Sequence, residues 1–157
     1  MSSWHRHTDI IILRIISMKK LKLIYPIVVE GKYDKIKLSN IVDANIIEVG
    51  GFSLYNNKNL ISTLKMLAKQ NGVIILTDSD VAGYKIRVFL NKIFSGCQIE
   101  NVLTPQIPGK ESRKTVASKE GYLGIEGIDD AILLSILSQY STDNVKKIGD
   151  ISVCDLY

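Results

Sequence analysis

Two short stretches constrain the fold more than anything else in the chain: Ile27-Val28-Val29-Glu30-Gly31-Lys32 and Val73-Ile74-Ile75-Leu76-Thr77-Asp78-Ser79-Asp80-Val81-Ala82-Gly83. Each is an apolar run of strand length that ends abruptly in carboxylate and glycine. Strands buried on both faces read this way, because only their emerging ends meet water. In an open α/β sheet, those carboxyl ends are where ligands bind. Glu30, Asp78 and Asp80 are therefore expected as one acidic cluster at the rim of one sheet. Three carboxylates in a small space repel one another unless a cation neutralises them. A hard divalent ion suits them, since it takes oxygen ligands and pairs with phosphate.

The elements around these stretches alternate regularly. Residues 24–30 are predicted as a first strand, with Pro26 where no ladder donor is needed. Residues 32–41 are predicted as a short helix with Ile36, Leu38 and Ile41 on or near its inner face. A second strand over 45–49 is closed by Gly50-Gly51, which lets the backbone turn sharply. The clearest helix covers 57–70, where Leu60, Ile61, Leu64, Leu67 and Ala68 form one stripe, and Asn71-Gly72 stops it. The third strand, 73–77, delivers Asp78 and Asp80. A helix over 82–94 turns Ile86, Phe89, Leu90 and Ile93 inward, and 98–103 is a fourth strand. A last amphipathic helix covers 128–140, with Ile128, Ile132, Leu133, Ile136 and Leu137 on its stripe. This alternation argues for an α/β fold with a mainly parallel sheet and right-handed crossovers.

A Glu-Gly at one strand end and an Asp-x-Asp-x-x-Gly some fifty positions later (Glu30-Gly31; Asp78-Ser79-Asp80-Val81-Ala82-Gly83) resemble the Toprim domain. Either motif alone is weak; placed together, each after a strand and before a helix, they are fairly specific. The resemblance implies a Rossmann-like Toprim sheet and metal-dependent phosphodiester chemistry. Glu30 would be the general acid or base, and also a possible metal ligand, while Asp78 and Asp80 hold Mg2+, with Mn2+ as a substitute. Beside two aspartates, Glu30 is expected to bind its proton more tightly than usual. Within the family, the chain is similar to the ribonuclease M5 group, which matures 5S ribosomal RNA. The similarity runs through Val29-Glu30-Gly31-Lys32, Leu76-Thr77-Asp78-Ser79-Asp80, Ala82-Gly83, Ile86-Arg87 and Gly124-Ile125-Glu126. It departs at Tyr33, where an acidic residue is expected although Asp34 matches. It departs again over 109–121, which looks more like a group of small Toprim proteins of Gram-positive bacteria with no settled function.

The resemblance implies an endoribonuclease acting on structured RNA, RNA favoured over DNA, and a ribosomal protein as a further candidate partner. Two other readings stay open: a non-catalytic nucleic-acid-binding Toprim module, and a DNA-processing Toprim nuclease. Retention of all three carboxylates speaks for chemistry, since a scaffold has no use for a repelling cluster. A topoisomerase would need a separate tyrosine-bearing domain, for which 157 residues leave no room. A nucleotide-binding α/β protein lacks its Gly-rich turn after the first strand.

Each site residue also has a plainer reading. Either aspartate could cap the following helix, which would leave the other without a task. Glu30 could pair with Lys32 on the surface, an interaction worth little. Lys32 and Arg87 could contact phosphate or merely face solvent. Asp34 and Glu126 are candidates for an extended acidic site, and Glu126 equally for a helix cap. Residues 104–124 break the periodicity, and Lys110, Arg113, Lys114 and Lys119 lie there against Glu111 and Glu120. Basic residues among small ones, with Tyr122, suit a groove that tracks a nucleic-acid backbone; a solvated loop is the alternative.

A formal charge of +4 and a pI near 9.0 fit a nucleic-acid partner without requiring one. Cys97 and Cys154 are far apart and form no Cys-x-x-Cys motif, which argues against a zinc ribbon and suits a reducing cytoplasm. The apolar run over 9–16 is too short and interrupted to span a membrane, and it lacks a signal-peptide cleavage site. Met18-Lys19-Lys20 reads as a more natural start, so 1–17 is expected to be an extension. His5 and His7 read as bystanders there. The Toprim domain is placed at 18–126. Residues 127–157 are placed as a C-terminal helix and the start of a truncated further domain, because a new apolar pattern begins at Ile151 and stops at once.

Overall fold

The computed structural model describes residues 20–109 and 121–143. Four strands, β2 (Ile27–Val29), β4 (Ile46–Glu48), β5 (Val73–Thr77) and β6 (Ile99–Leu103), form one parallel sheet in the order β4-β2-β5-β6. Two further two-residue strands, β1 (Leu21–Lys22) and β3 (Val42–Asp43), pair in parallel as a separate ribbon. The helices are α1 (Lys32–Ile41), α2 (Lys58–Asn71), α3 (Val81–Ile93) and α4 (Asp130–Leu137). The first strand is thus shorter than predicted. Pro26 stands just before β2, where its missing N–H costs nothing and its carbonyl accepts from Ile74 N–H at 2.9 Å.

Period-two alternation divides the central strands between two cores. Ile27, Val29, Ile74 and Leu76 pack with Leu38 of α1 and with Leu133 and Leu137 of α4. Val28, Val73 and Ile75 pack on the other face with Leu64 and Ala68 of α2 and Ile86 and Leu90 of α3. The result is three layers, two helices on each face. Every residue of β2 and β5 is buried, as a central parallel strand requires. The helix after Glu126 belongs to this arrangement, since Leu133 and Leu137 share a core with Ile27 and Ile74. Lys37 and Asp130 join α1 to α4 across 2.6 Å at the surface, which adds little to stability.

Three predicted features are corrected. Ile36 faces solvent at 48% exposure, and Leu38 alone on α1 is fully buried. One turn of a short helix can present only a narrow stripe, and the sheet claims the side of Leu38. The last helix begins at Asp130, with Asp129 as its cap accepting from Ala131 N–H at 2.8 Å. Residues 125–127 form a separate 3-10 turn before it, and Ile132 is exposed rather than on the buried stripe. Finally, the stretch after β6 is not structureless throughout. Its ends pair antiparallel, Leu123 N–H donating to Ile107 O at 2.8 Å and Gly109 N–H to Gly121 O at 2.9 Å.

The inner face of α1 is open to a direct check. Leu38→Ala should cost about 2–5 kcal/mol of unfolding free energy, whereas Ile36→Ala should stay within about 0.5 kcal/mol. Urea denaturation of both variants reads the difference, and a large loss at Ile36 would reverse the assigned face.

Candidate functional site

The sheet order puts β2 beside β5, paired in parallel with Ile27 opposite Ile74 and Val28 opposite Ile75. Carried past those pairs, the register sets Glu30 level with Thr77. The two motifs therefore emerge at one edge of the sheet, on adjacent strands, as their sequence position led us to expect.

Each aspartate of the second motif is held by a backbone donor. Asp80 is the N-cap of α3, and its Oδ1 accepts from Gly83 N–H at 2.7 Å. Asp78 Oδ1 accepts from Ile125 N–H at 2.9 Å, across the chain from the 3-10 turn that also carries Glu126. Capping thus explains Asp80, and a long-range contact holds Asp78. Between them, Ser79 ties β5 to the end of β6: its N–H donates to Thr104 Oγ1 at 3.2 Å and its hydroxyl donates to the Thr104 carbonyl. Gly83 lets α3 approach this turn, because a Cβ built there would stand 2.3 Å from the Asp78 carbonyl oxygen.

Glu30 is placed differently. Its carbonyl accepts from Gly50 N–H at 3.0 Å and Gly51 N–H at 3.1 Å. Both glycines have positive φ, 70° and 60°, the conformation that turns two successive N–H groups onto one oxygen. The Glu30 carboxylate lies on that side, with Oε1 4.0 Å from where a Cβ of Gly51 would stand. Leu76 faces the core with Leu38, so by alternation Thr77 leaves toward the α2–α3 face. Asp78, one residue further, leaves toward Ile125 and the α1–α4 face. Among the described residues, no group of three or more His, Cys, Asp or Glu side chains is placed to hold an ion together.

The donor chemistry nevertheless fits the divalent cation that the sequence resemblance implies. A carboxylate has two oxygens and about four acceptor sites, so accepting a backbone N–H is compatible with also binding a cation at Asp78 and Asp80. Mg2+ commonly takes only one or two protein carboxylates and completes its shell with water and phosphate oxygens.

Arg87 lies on α3 beside this turn. Its guanidinium donates to the buried Thr77 hydroxyl and sits 5.9 Å from the centre of the Tyr84 ring. Burial pulls its pKa below the ordinary arginine value, while Tyr84 and Asp80 push it back up. An arginine does not lose its proton in proteins, so this burial favours an anionic partner. Lys32 is exposed at the start of α1, and Asp34 accepts from Gly31 N–H at 3.0 Å at the same helix end. The cap of α4 is Asp129 rather than Glu126. Lys110, Arg113, Lys114 and Lys119 lie outside the described residues, which stop at Gly109 and resume at Gly121. Thr77, Tyr84, Thr104 and the Ile125 N–H were not singled out from sequence. Only Tyr84 carried a signal, standing three residues before Arg87 on one helix face.

Acidic turns at the carboxyl ends of two adjacent, buried parallel strands define an α/β protein with its site at the sheet rim. The Toprim domain profile matches residues 26–119, more than half of the sequence, and the chain belongs to the Toprim domain family. It is 34% identical over 130 residues to the Ribonuclease M5 of Clostridium acetobutylicum, covering 83% of this chain and 64% of that protein. It is 35% identical over 128 residues to the Ribonuclease M5 of Fusobacterium nucleatum, covering 80% of this chain and 63% of that protein. The match to the Ribonuclease M5 of Clostridium botulinum is 45% identical over 64 residues, 41% of this chain and 34% of that protein. The chain thus spans somewhat less than two thirds of the length of the first two of these relatives.

The close approach at Gly83 generates a prediction whose sign is informative. Helix propensity alone would make Gly83→Ala favourable by up to about 1 kcal/mol. The clash with the Asp78 backbone should outweigh that and lower stability by about 1–3 kcal/mol. A denaturant midpoint at unchanged m-value reads the result; stabilisation would mean that α3 does not need this approach.

Proposed function

We propose that the chain is a divalent-metal-dependent endoribonuclease of the rRNA-maturation type, acting in the cytoplasm on structured RNA, with Asp78 and Asp80 holding Mg2+ and Glu30 moving the proton. The observation that carries this reading is the pairing of β2 with β5, which brings the Glu-Gly and Asp-x-Asp turns to one sheet edge. The similarity to proteins named Ribonuclease M5 supports the choice of substrate, as does a pI near 9.0. Residues 18–126 are taken as the Toprim domain, and a ribosomal protein is a further proposed partner. No helix among the described residues is long and apolar enough to cross a membrane.

When bound, the ion would stabilise charge developing on the phosphate. The chain's own residues set the rest. Ile125 N–H and Gly83 N–H fix the two aspartates before substrate arrives, so no side-chain search is needed at that moment. Arg87, steadied by Thr77 and Tyr84, offers the rest of its guanidinium fork to a phosphate oxygen. The Glu30 carboxyl gives a proton to the leaving oxygen or takes one from water. The residues flanking 110–120 pair, 107–109 with 121–123, and Tyr122 lines a cavity that Asp80 and Arg87 also line. This supports assigning Lys110, Arg113, Lys114 and Lys119 to the RNA backbone, and Lys32, exposed beside the Glu-Gly turn, is assigned with them. A second reading, a non-catalytic nucleic-acid-binding module, is favoured by one fact: among the described residues no three His, Cys, Asp or Glu side chains are grouped to hold an ion.

Substitution separates the two. Asp78→Asn keeps an oxygen for the Ile125 N–H, so the fold should hold while metal affinity and cleavage fall together. Glu30→Gln should retain much of the metal and RNA affinity but lose turnover by about 100- to 10,000-fold, the usual weight of a proton-transfer group. Labelled RNA and DNA panels, with Mg2+ or with chelator, read both effects. Full-rate cleavage by Glu30→Gln would refute its role. Binding without any metal-dependent cleavage in the parent protein would favour the module, and cleavage of DNA alone would redirect the reading to a DNA nuclease.

The basic segment has its own test. Replacing Arg113 and Lys114 together by alanine should weaken binding similarly across sequences, and should flatten the log–log salt slope by about 1–2. Unchanged affinity and slope would assign these charges to solvation.

A further inference from the structure

Next to the acidic turn lies a cavity of about 570 Å³, lined from one side by Asp80, Tyr84 and Arg87 and from the other by Leu103, Thr104 and Tyr122. Its position and chemistry call for explanation. Asp80 belongs both to this cavity and to the proposed metal site, so the two adjoin. Tyr84 is 59% exposed, and Leu103 and Val81, which also line the cavity, are 51% and 57% exposed. Three large apolar side chains left in water around one concavity mark a binding surface rather than scattered exposure. Arg87 supplies a fixed cation at the same place, and among the described residues no carboxylate lies within salt-bridge distance of it.

Each group narrows the occupant. The volume is that of a site for one small ligand. An aromatic face beside a guanidinium suits a flat, π-faced group joined to an anion, because bases stack on rings and on arginine planes alike. Gln106, exposed on the cavity wall, carries both a donor and an acceptor on its side-chain amide, which is what the edge of a nucleobase requires. A purely apolar ligand would leave Arg87 and Gln106 without purpose, and a bare phosphate would leave Tyr84 and Leu103 uncovered. A base within a duplex has both faces stacked already and cannot offer one to Tyr84.

Resting on the reading of the chain as an RNA-processing Toprim protein, we propose that this cavity is a subsite for one unpaired nucleotide of the RNA strand, adjoining the phosphate that is cut. The base lies against Tyr84 and the apolar wall, Gln106 meets its edge, and Arg87 pairs with its phosphate. The substrate is thereby narrowed to RNA that presents an unpaired or extruded nucleotide, such as a bulge, loop or strand end, beside the cleavage point.

The test reads binding and stacking in chelator, so it does not depend on catalysis. The probe is a short single-stranded RNA carrying one fluorescent aminopurine, compared with the same strand in a blunt duplex. The single strand should bind with quenching of the aminopurine, and the duplex should bind without it. Tyr84→Ala should weaken single-strand binding by roughly 5- to 150-fold, the range that loss of one stacking platform produces, and should remove the quench. Tyr84→Phe should restore both, which a merely unfolded or displaced helix would not. Tyr84→Ala binding and quenching like the parent would overturn the subsite, as would equal quenching in the duplex or failure to bind the single strand. Metal-dependent cleavage that persists in any of those cases would leave the nuclease reading standing and remove the subsite alone. Quenching without any cleavage would do the reverse.

Discussion

The pairing of β2 with β5 is the interaction on which the rest of the structure depends. Both strands are buried on both faces, and neither could exist without helices over each side. Burial of a large aliphatic side chain contributes on the order of 1.5–3 kcal/mol, and these two strands hold Ile27, Ile74, Ile75 and Leu76 at full burial. The same pairing fixes where the polar ends come out. A one-residue slip would exchange the two faces of β5, sending Thr77 toward α4 and Asp78 toward α3. Ile125 would then lose its acceptor and Arg87 its hydroxyl partner. Stability of the sheet and geometry of the site are therefore one specification.

Alternation at that edge also explains how a few consecutive residues serve different tasks. Thr77 faces α3, where its hydroxyl steadies Arg87. Asp78 faces the opposite layer and meets the turn before α4. Ser79 reaches sideways to β6 through Thr104, and Asp80 caps the next helix. No side chain in the turn competes with its neighbour, since each leaves in a different direction.

Much of this was legible in the sequence because it rests on local pattern. Runs such as Val73–Thr77 have no other stable home than a central strand, and Lys58–Asn71 shows its stripe and its stop. The adjacency of β2 and β5 followed from the need to bring two acidic turns to one sheet edge. What escaped was set by tertiary partners. Nothing near Asp78 in sequence announces Ile125, which lies forty-seven positions away. The antiparallel pairing of 107–109 with 121–123 was hidden by proline and glycine, and it uses backbone groups that every residue has. Ile36 and Ile132 satisfy a helical period but face water, because short helices offer more apolar positions than the sheet can cover.

On the proposed reading, the donor set has a consequence for how ion and RNA bind. Asp78 and Asp80 each spend part of their charge on a backbone N–H, which holds them rigid but leaves a weaker pull on a cation than two unencumbered carboxylates would exert. Asp78 and Asp80 would hold the divalent ion with only two protein carboxylates, which leaves positions for water and substrate phosphate. The phosphate is in turn drawn by Arg87, whose charge opposes that of the aspartates. Each partner therefore binds better when the other is present, and by linkage the gain is the same in both directions. On that reading the chain's positive balance would bring RNA to the surface, and the acidic turn would be completed where a phosphate has already been placed.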